Sequence, residues 1–416
     1  MRVYGGSGMS TIGAVGKSTR RTPFDAGREA ATLACEELNH GPNLFLVFAT
    51  AGYDQAELLS GVRSASRGTA ISGCSGEGVI TQTGSDEVSH AVAVMAIASD
   101  RATFDSFQVG DLSKDARRCG DLLASQIEAV HRRDPKCLLL FPDGRTGNVT
   151  ELLASLQAHL PHSLPIVGGA AAELFRWGKT YQYLNDRAAS DAVSAVLISG
   201  HVMVRTSLRH GCTPLGSPRV VTRAEDGWVR TIDDIPAFTA YMEYLETSPN
   251  SALALKAQFE AIQPIFGEEL PPDQRRYGRY ILRLPLGSVD EETGALFFSA
   301  SLRQGAKIQL MRRDRDLFRS SARDCAKEIA ADQGNQRPAF VLQFDCAGRG
   351  RVMFGDQTNE SIITPMQEVL GRDLPWIGFH TYGEIAPLNE QAVFHQFTVV
   401  LSAIYEVEEA HRRNVE

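Results

Sequence analysis

Three stretches of the chain repeat one order of apolar and polar positions. Each has an apolar run, a polar or Gly-containing loop, an amphipathic helix, and a second apolar run closing on a Gly-rich turn with a glutamate. Asn43 to Glu77 reads NLFLVFATAGYD, QAELLSGVRSAS and TAISGCSGEG. Lys136 to Glu173 reads KCLLLFPDGRTGN, VTELLASLQAHL and LPIVGGAAAE. Pro338 to Glu384 reads PAFVLQFDCAGRGR, NESIITPMQEVLG and LPWIGFHTYGE. Leu58, Leu59 and Val62, and again Leu152, Leu153 and Leu156, recur at helical spacing. The pattern predicts a βαβ unit each time, because two parallel strands need a crossover connection. The endings align as ISGCSGEGV, IVGGAAAEL and IGFHTYGEI, which sets Glu77, Glu173 and Glu384 at corresponding places. Another strand-like run follows each unit, from His90, Asp191 and Phe394. A strand that follows a turn without a helix pairs antiparallel, so mixed sheets are expected.

Between the second and third units the pattern changes. His201 to Ile232 alternates like β-hairpins, with Asp226-Gly227 as a turn signal. Asp233 to Pro264 reads as helical segments broken at Pro249-Asn250. Tyr280 to Leu286 and Ala295 to Leu302 read as strands, and Leu317 to Ala331 as a helix. The expected fold is α/β: two domains with mixed β-sheets flanked by helices, built from repeated β-α-β-β units. A mobile or lightly tethered arm is expected over 1–28, an N-terminal domain over 29–230, a C-terminal domain over 231–405 and a tail over 406–416.

A length of 416 residues suits two α/β domains and needs no disulfide or metal to fold. The net charge of -8 argues against nucleic-acid or anionic-membrane binding, since both recruit basic surfaces. Seven cysteines, an odd number without a CxxC or a Cys/His metal ladder, read as reduced thiols in the cytoplasm. MRVYGGSGMS has no apolar core, so no signal peptide is expected there. The longest apolar stretches, such as Ala91 to Ala98, are of strand length and too short for a bilayer span. The expectation is a cytoplasmic protein with no membrane partner.

Gly16-Lys17-Ser18 resembles a phosphate loop, but Thr11 stands where the first glycine belongs, so a nucleotide site is rejected. In GCSGEG a nucleophile elbow on Ser75 fails because Glu77 replaces the second glycine. The same turn, with Gly73, Cys74, Ser75 and Glu77, remains a candidate ligand contact, since strand ends of α/β sheets open onto crevices. Exposed turn amides can hold a carboxylate while a glutamate beside them accepts an ammonium, so such a site suits a zwitterion. The densest grouping is C-terminal: Asp345, Cys346, Arg349, Gly378, His380, Tyr382, Gly383, Glu384 and His395 in three short loops. The second turn, GGAAAE, lacks the polar side chains of its sisters, so the candidate site draws on the first and third units.

FATAGYD, ISGCSGEG and RHGCTPLGSPRVVTRAEDGWV together resemble the N-terminal FIST domain, and CAGRG with GF-x-x-YGEI-x-P resembles the C-terminal one. The resemblance spans about residues 28 to 405. It implies a sensory module that binds a small, amino-acid-like ligand without catalysis and passes its signal to a separate output protein. The expected arrangement has Arg349 assisting turn amides at the anionic end, and Glu384 and Glu77 at the cationic end. Ligand binding across two domains would favour one interdomain arrangement. The resemblance also implies an alternative, a haem-binding nitric-oxide sensor acting on a histidine kinase or cyclic-di-GMP enzyme, with His380, His395, Cys346 or Cys212 as axial ligand. A third reading is an enzyme with Cys346 or Cys74 as nucleophile and His380 or His395 as base.

Overall fold

The computed structural model describes residues 11–38, 40–132, 134–175, 178–243, 265–332 and 336–407. One strand order is used three times. The first unit runs β1 (Ile12–Ser18), α1 (Pro23–Glu36), β2 (Leu44–Thr50), α2 (Gln55–Ser66), β3 (Ala70–Gly76), the hairpin β4 (Val79–Thr81) and β5 (Gly84–Asp86), then β6 (Val92–Ala98). The second runs β7 (Ala102–Gly110), α3 (Ala116–Ala129), β8 (Pro135–Pro142), α4 (Val149–His159), β9 (Ile166–Gly169), the hairpin β10 (Gln182–Leu184) and β11 (Arg187–Ala189), then β12 (Ala192–Gly200).

The third unit opens with β13 (Val202–His210) and is then interrupted by an eight-stranded antiparallel sheet. That sheet contains β14 (Cys212–Glu225), β15 (Trp228–Ile232), β16 (Ile235–Pro236), β17 (Ile265–Glu269), β18 (Tyr280–Arg283), β19 (Pro285–Val289), β20 (Leu296–Phe298) and β21 (Lys307–Arg313). The unit resumes with a helix, Arg315–Asp332, then β22 (Phe340–Cys346), short turns and a helix, Thr364–Leu370, and β23 (Trp376–Thr381). The hairpin β24 (Glu384–Leu388) and β25 (Gln391–His395) and the strand β26 (Thr398–Glu406) complete it.

Three six-stranded sheets result, ordered β1-β6-β2-β3-β10-β11, β7-β12-β8-β9-β24-β25 and β13-β26-β22-β23-β4-β5. In each the two central strands are parallel and every other pair is antiparallel. The mixed α/β fold and the repeat read from the hydrophobic pattern are therefore present. The hairpins are exchanged: that of the first unit completes the third sheet, that of the second the first, and that of the third the second. A hinge between the two halves of the chain would break these ladders, so the expected interdomain rearrangement has no seam to follow.

Strand alternation explains the layers. Leu44, Leu46 and Phe48 of β2 face a central core shared by all three sheets, while Phe45, Val47 and Ala49 face the layer under α1 and α2. Phe48, Phe141 and Phe344, one from each unit, gather in that core around Phe379, whose ring centroid lies 4.6 Å from that of Phe48 and 5.8 Å from that of Phe344.

Two expectations are corrected. Residues 11–28 are not a loose arm: Ile12–Ser18 pairs in full register with Val92–Ala98, α1 begins at Pro23, and Lys17 is held by Asp86 at 2.5 Å. The strand was masked by its Gly and Ser content; Gly16 is there because α1 crosses against it, and a Cβ would strike the Ala30 carbonyl. Of the helical segment expected over 233–264, a helix forms at Ala237–Glu243, and 244–264 lie outside the described residues, as do 1–10 and 408–416 of the expected arm and tail.

Gly73, Gly168 and Gly378 occupy the same register, opposite Val47, Leu140 and Gln343. At each one a Cβ would collide with the carbonyl oxygen of that partner. Gly378→Ala is expected to destabilise the protein by about 1–3 kcal/mol, as overpacking of a rigid backbone contact does, read as a lowered urea midpoint.

Candidate functional site

The register of these glycines fixes which turn residues correspond. Four residues on stand Glu77, Ala172 and Tyr382, so the three glutamates are not equivalent: Glu173 lies one place further and Glu384 opens the exchanged strand β24. The letter alignment missed this because the turns differ in length.

Beyond the glycines the three strand ends bind one another pairwise. Ala172 donates its amide to the Ser75 carbonyl at 2.9 Å, and Ser75 Oγ donates to the Ala172 carbonyl at 2.7 Å. Ala170 donates to Gly383 at 2.7 Å, and Tyr382 to Ala170 at 3.1 Å. Glu77 donates to His380, and His380 to Gly78, each at 2.9 Å. One side chain from each unit then converges. The Tyr382 hydroxyl lies 2.6 Å from the Glu173 carbonyl, 3.2 Å from Glu173 Oε1 and 3.4 Å from Glu77 Oε2, and accepts the Phe175 amide at 3.1 Å. Burial, then the carboxylates of Glu87 and Glu173, push the Glu77 carboxyl up to about 9. Burial first, then the carboxylates of Glu77 and Glu173, push the Tyr382 phenol far above its ordinary value.

A second polar group lies under the helical layer of the third unit. Trp376 Nε1 donates to Gln343 Oε1 at 2.9 Å, Gln343 Nε2 to Asp345 Oδ2 at 3.0 Å, and Arg349 Nε to Asp345 Oδ1 at 2.7 Å. Arg349 and Asp345 are both fully buried, and the guanidinium carbon sits 4.8 Å from the centre of the Phe318 ring. Among the described residues Arg349 Nη1 and Nη2 have no hydrogen-bond partner, nor does Nδ1 of the buried His380. His380 Nε2 lies 2.7 Å from Ser85 Oγ and 3.6 Å from Glu87 Oε1.

The candidate residues thus divide. Gly73, Ser75, Glu77, Gly378, Tyr382 and Gly383 belong to the ring of strand ends, with Cys74 buried beside it. Arg349 and His380 belong to the second group, beside the buried Cys346. Glu384 and His395 face each other across the β24–β25 ladder. Glu384 does not offer a carboxylate to a cation: Thr381 Oγ1 donates to one oxygen and the Thr398 amide to the other at 3.0 Å, while burial holds its carboxyl well above the usual range. Glu173, excluded at first because its turn is GGAAAE, is a member of the central cluster. Ser85 and Glu87 were missed; they arrive on the exchanged hairpin and its exit, and no signal local to SDEVSH reveals that.

Burial pushes Cys74 and Cys346 well above the ordinary thiol value, opposite to an activated nucleophile. His395 Nε2 lies 3.1 Å from the Ala386 carbonyl, and burial presses its imidazole down to about 3. An axial haem ligand needs an apolar slot beside it. His380, His395, Cys212 and Cys346 are buried, and none lines any of three surface clefts formed by described residues. Among the described residues no helix is long and apolar enough to cross a membrane.

The family model of the FIST N domain matches residues 43–235, and that of the FIST C domain matches 237–387. FIST domains are associated with signal transduction and small-ligand sensing. An uncharacterized protein of Mycobacterium tuberculosis is 28% identical over 392 residues, 93% of this chain and 98% of its own length. An uncharacterized protein of Methanocaldococcus jannaschii is 24% identical over 297 residues, 67% of this chain and 54% of its own. Among solved structures, a chorismatase aligns with a TM-score of 0.35 at 8% identity over 95% of this chain and 98% of its own, a likeness too weak to carry an argument. A cyanuric acid hydrolase from A. caulinodans aligns equally weakly, with a TM-score of 0.35 at 9% identity over 95% and 99%.

Proposed function

We propose that this chain, which belongs to the FIST family, is a sensor that binds a small amino-acid-like ligand where the three strand ends meet. The observation that carries the reading is the meeting of Glu77 and Glu173, from two units, at the hydroxyl of Tyr382 from the third. The two carboxyls, Glu77 half-buried and Glu173 buried, repel when both are ionised, and a ligand ammonium would relieve that repulsion. The binding step requires no catalysis, and its signal would pass to a separate output protein in the cytoplasm.

Thermal-shift measurements with alanine, ethylamine and propionate test the reading. Alanine is expected to raise Tm, and Glu77→Gln to abolish that response without unfolding the protein. Because an ammonium favours the ionised Glu77 carboxyl, apparent affinity should increase about tenfold per pH unit from neutrality up toward 9. An alanine response that Glu77→Gln leaves intact, or no response across a panel of amino acids, would remove the proposal.

A further inference from the structure

The three units act as controls for one another, because the same fold positions carry different side chains. Counting from the shared glycine, Trp376 corresponds to Ile71 and Ile166, and His380 to Ser75 and Ala170. On the neighbouring strand Gln343 corresponds to Val47 and Leu140, and Asp345 to Ala49 and Pro142. Two units build this layer from apolar and small residues. The third places a buried chain of polar groups there, so the fold itself does not require them.

The crossover changes in the same unit. After β2 and β8 the chain enters regular helices of 12 and 11 residues. After β22 it breaks into single turns at Ala347–Arg349, Arg351–Phe354 and Gly355–Gln357 and a π-turn at Asn359–Ile363 before the helix Thr364–Leu370. Such interruptions recur at functional sites. The broken stretch is tied to the exchanged hairpin by Glu87, whose two oxygens each lie 2.8 Å from the Arg351 amide.

We infer that the carboxyl ends of β22 and β23 hold a small carboxylate, gripped by the free edge of Arg349 and assisted by His380. Asp345 occupies Nε, and Phe318 covers one face of the guanidinium, so Nη1 and Nη2 form the remaining edge. That edge matches a carboxylate in a two-point grip. Asp345 cannot turn to satisfy it, because its second oxygen is held by Gln343, itself fixed by Trp376. Asp345 and His380 are paired in register on adjacent strands, so His380 Nδ1 belongs to the same end of the sheet. The inference rests on the ligand-binding reading above and supplies its anionic half: the ligand bears a carboxylate, as an amino acid does. The broken turns after β22 are the cover that a ligand would cross.

The test uses sodium formate, with sodium chloride at equal ionic strength and formamide as controls, on the full chain. Formate is expected to raise the wild-type Tm where chloride and formamide do not, and Arg349→Lys to weaken formate about tenfold or more. Asp345→Ala/Arg349→Met/His380→Ser, which restores the character of the sister units, should fold cooperatively and show no formate response. A formate response equal in wild type and both variants, or none in wild type, would overturn the subsite. An alanine response lost in Glu77→Gln but kept in Arg349→Lys would overturn the subsite and leave the sensor reading standing. A formate response with no amino-acid response would do the reverse.

Discussion

Asp345→Ala is expected to lower the unfolding free energy by about 3–5 kcal/mol, while Asp345→Ala/Arg349→Met recovers most of that loss. The pair is fully buried, with Nε 2.7 Å from Oδ1. Removing the carboxylate leaves a guanidinium whose three nitrogens lack any anionic partner, and also orphans the amide of Gln343. Removing both charges eliminates the desolvation penalty together with the attraction. The layer then resembles the apolar one built around Val47 and Ala49 in the first unit. Urea unfolding of the two variants measures the difference. A single variant costing less than about 1 kcal/mol, or a double variant no better than the single, would show that the charges are screened by groups other than those described.

The contrast between single and double variants bears on how the site arose in the fold. The hydrophobic alternation of NLFLVFAT, KCLLLFP and FVLQFDC specifies one strand three times, and Phe48, Phe141 and Phe344 stand at its common inward position. This much was legible in the sequence, since period-two burial leaves a local mark. The chemistry marked itself too: Gln343 and Asp345 interrupt a strand that its sisters keep apolar. What left no local mark was the exchange of hairpins. Val79–Asp86 pairs with a strand nearly 300 residues away, and only that pairing brings Ser85 to His380 and Glu87 to Arg351. Letter-by-letter alignment also misled at Glu384, because hydrogen-bond register, which sets equivalence, depends on where the parallel partner lies. Glu77 and Glu173 meet only because the strand ends bind pairwise, a contact made between units.

Stability is expected to fall as pH rises from 6.5 toward 9 and to change much less between 6.5 and 4.5, because different groups act on the two sides. The ionised form of Glu77 is penalised in the fold, its carboxyl standing at about 9 against an ordinary 4.5. Stability therefore falls as pH rises between those values, by at most about 1.4 kcal/mol per unit. Glu87, Glu173 and Tyr382 are the titratable groups facing it. The histidines act in the opposite sense. Burial first, then the charge of Arg349, presses His210 to about 4, and burial first, then Arg283, presses His395 to about 3, against 6.5 for each when free. Their contribution is complete above 6.5 and is lost as pH falls toward the folded values, at up to about 1.4 kcal/mol per unit each. His210 keeps some contact with solvent and contributes the smaller share. Between pH 6.5 and 4.5 the loss from the two histidines is opposed by the gain from Glu77 and from Glu384, whose carboxyl is also held well above the usual range by burial. The acid side is therefore much shallower than the alkaline one. Glu77→Gln should make the alkaline limb shallower and uncover a descending acid limb, while His210→Asn/His395→Gln should make stability rise from pH 6.5 down to 4.5. Urea midpoints measured from pH 4 to 9 read both. An alkaline limb unchanged in Glu77→Gln would mean that Glu77 is ionised at neutral pH. The cation-attracting cluster would then already hold its charge before any ligand arrived.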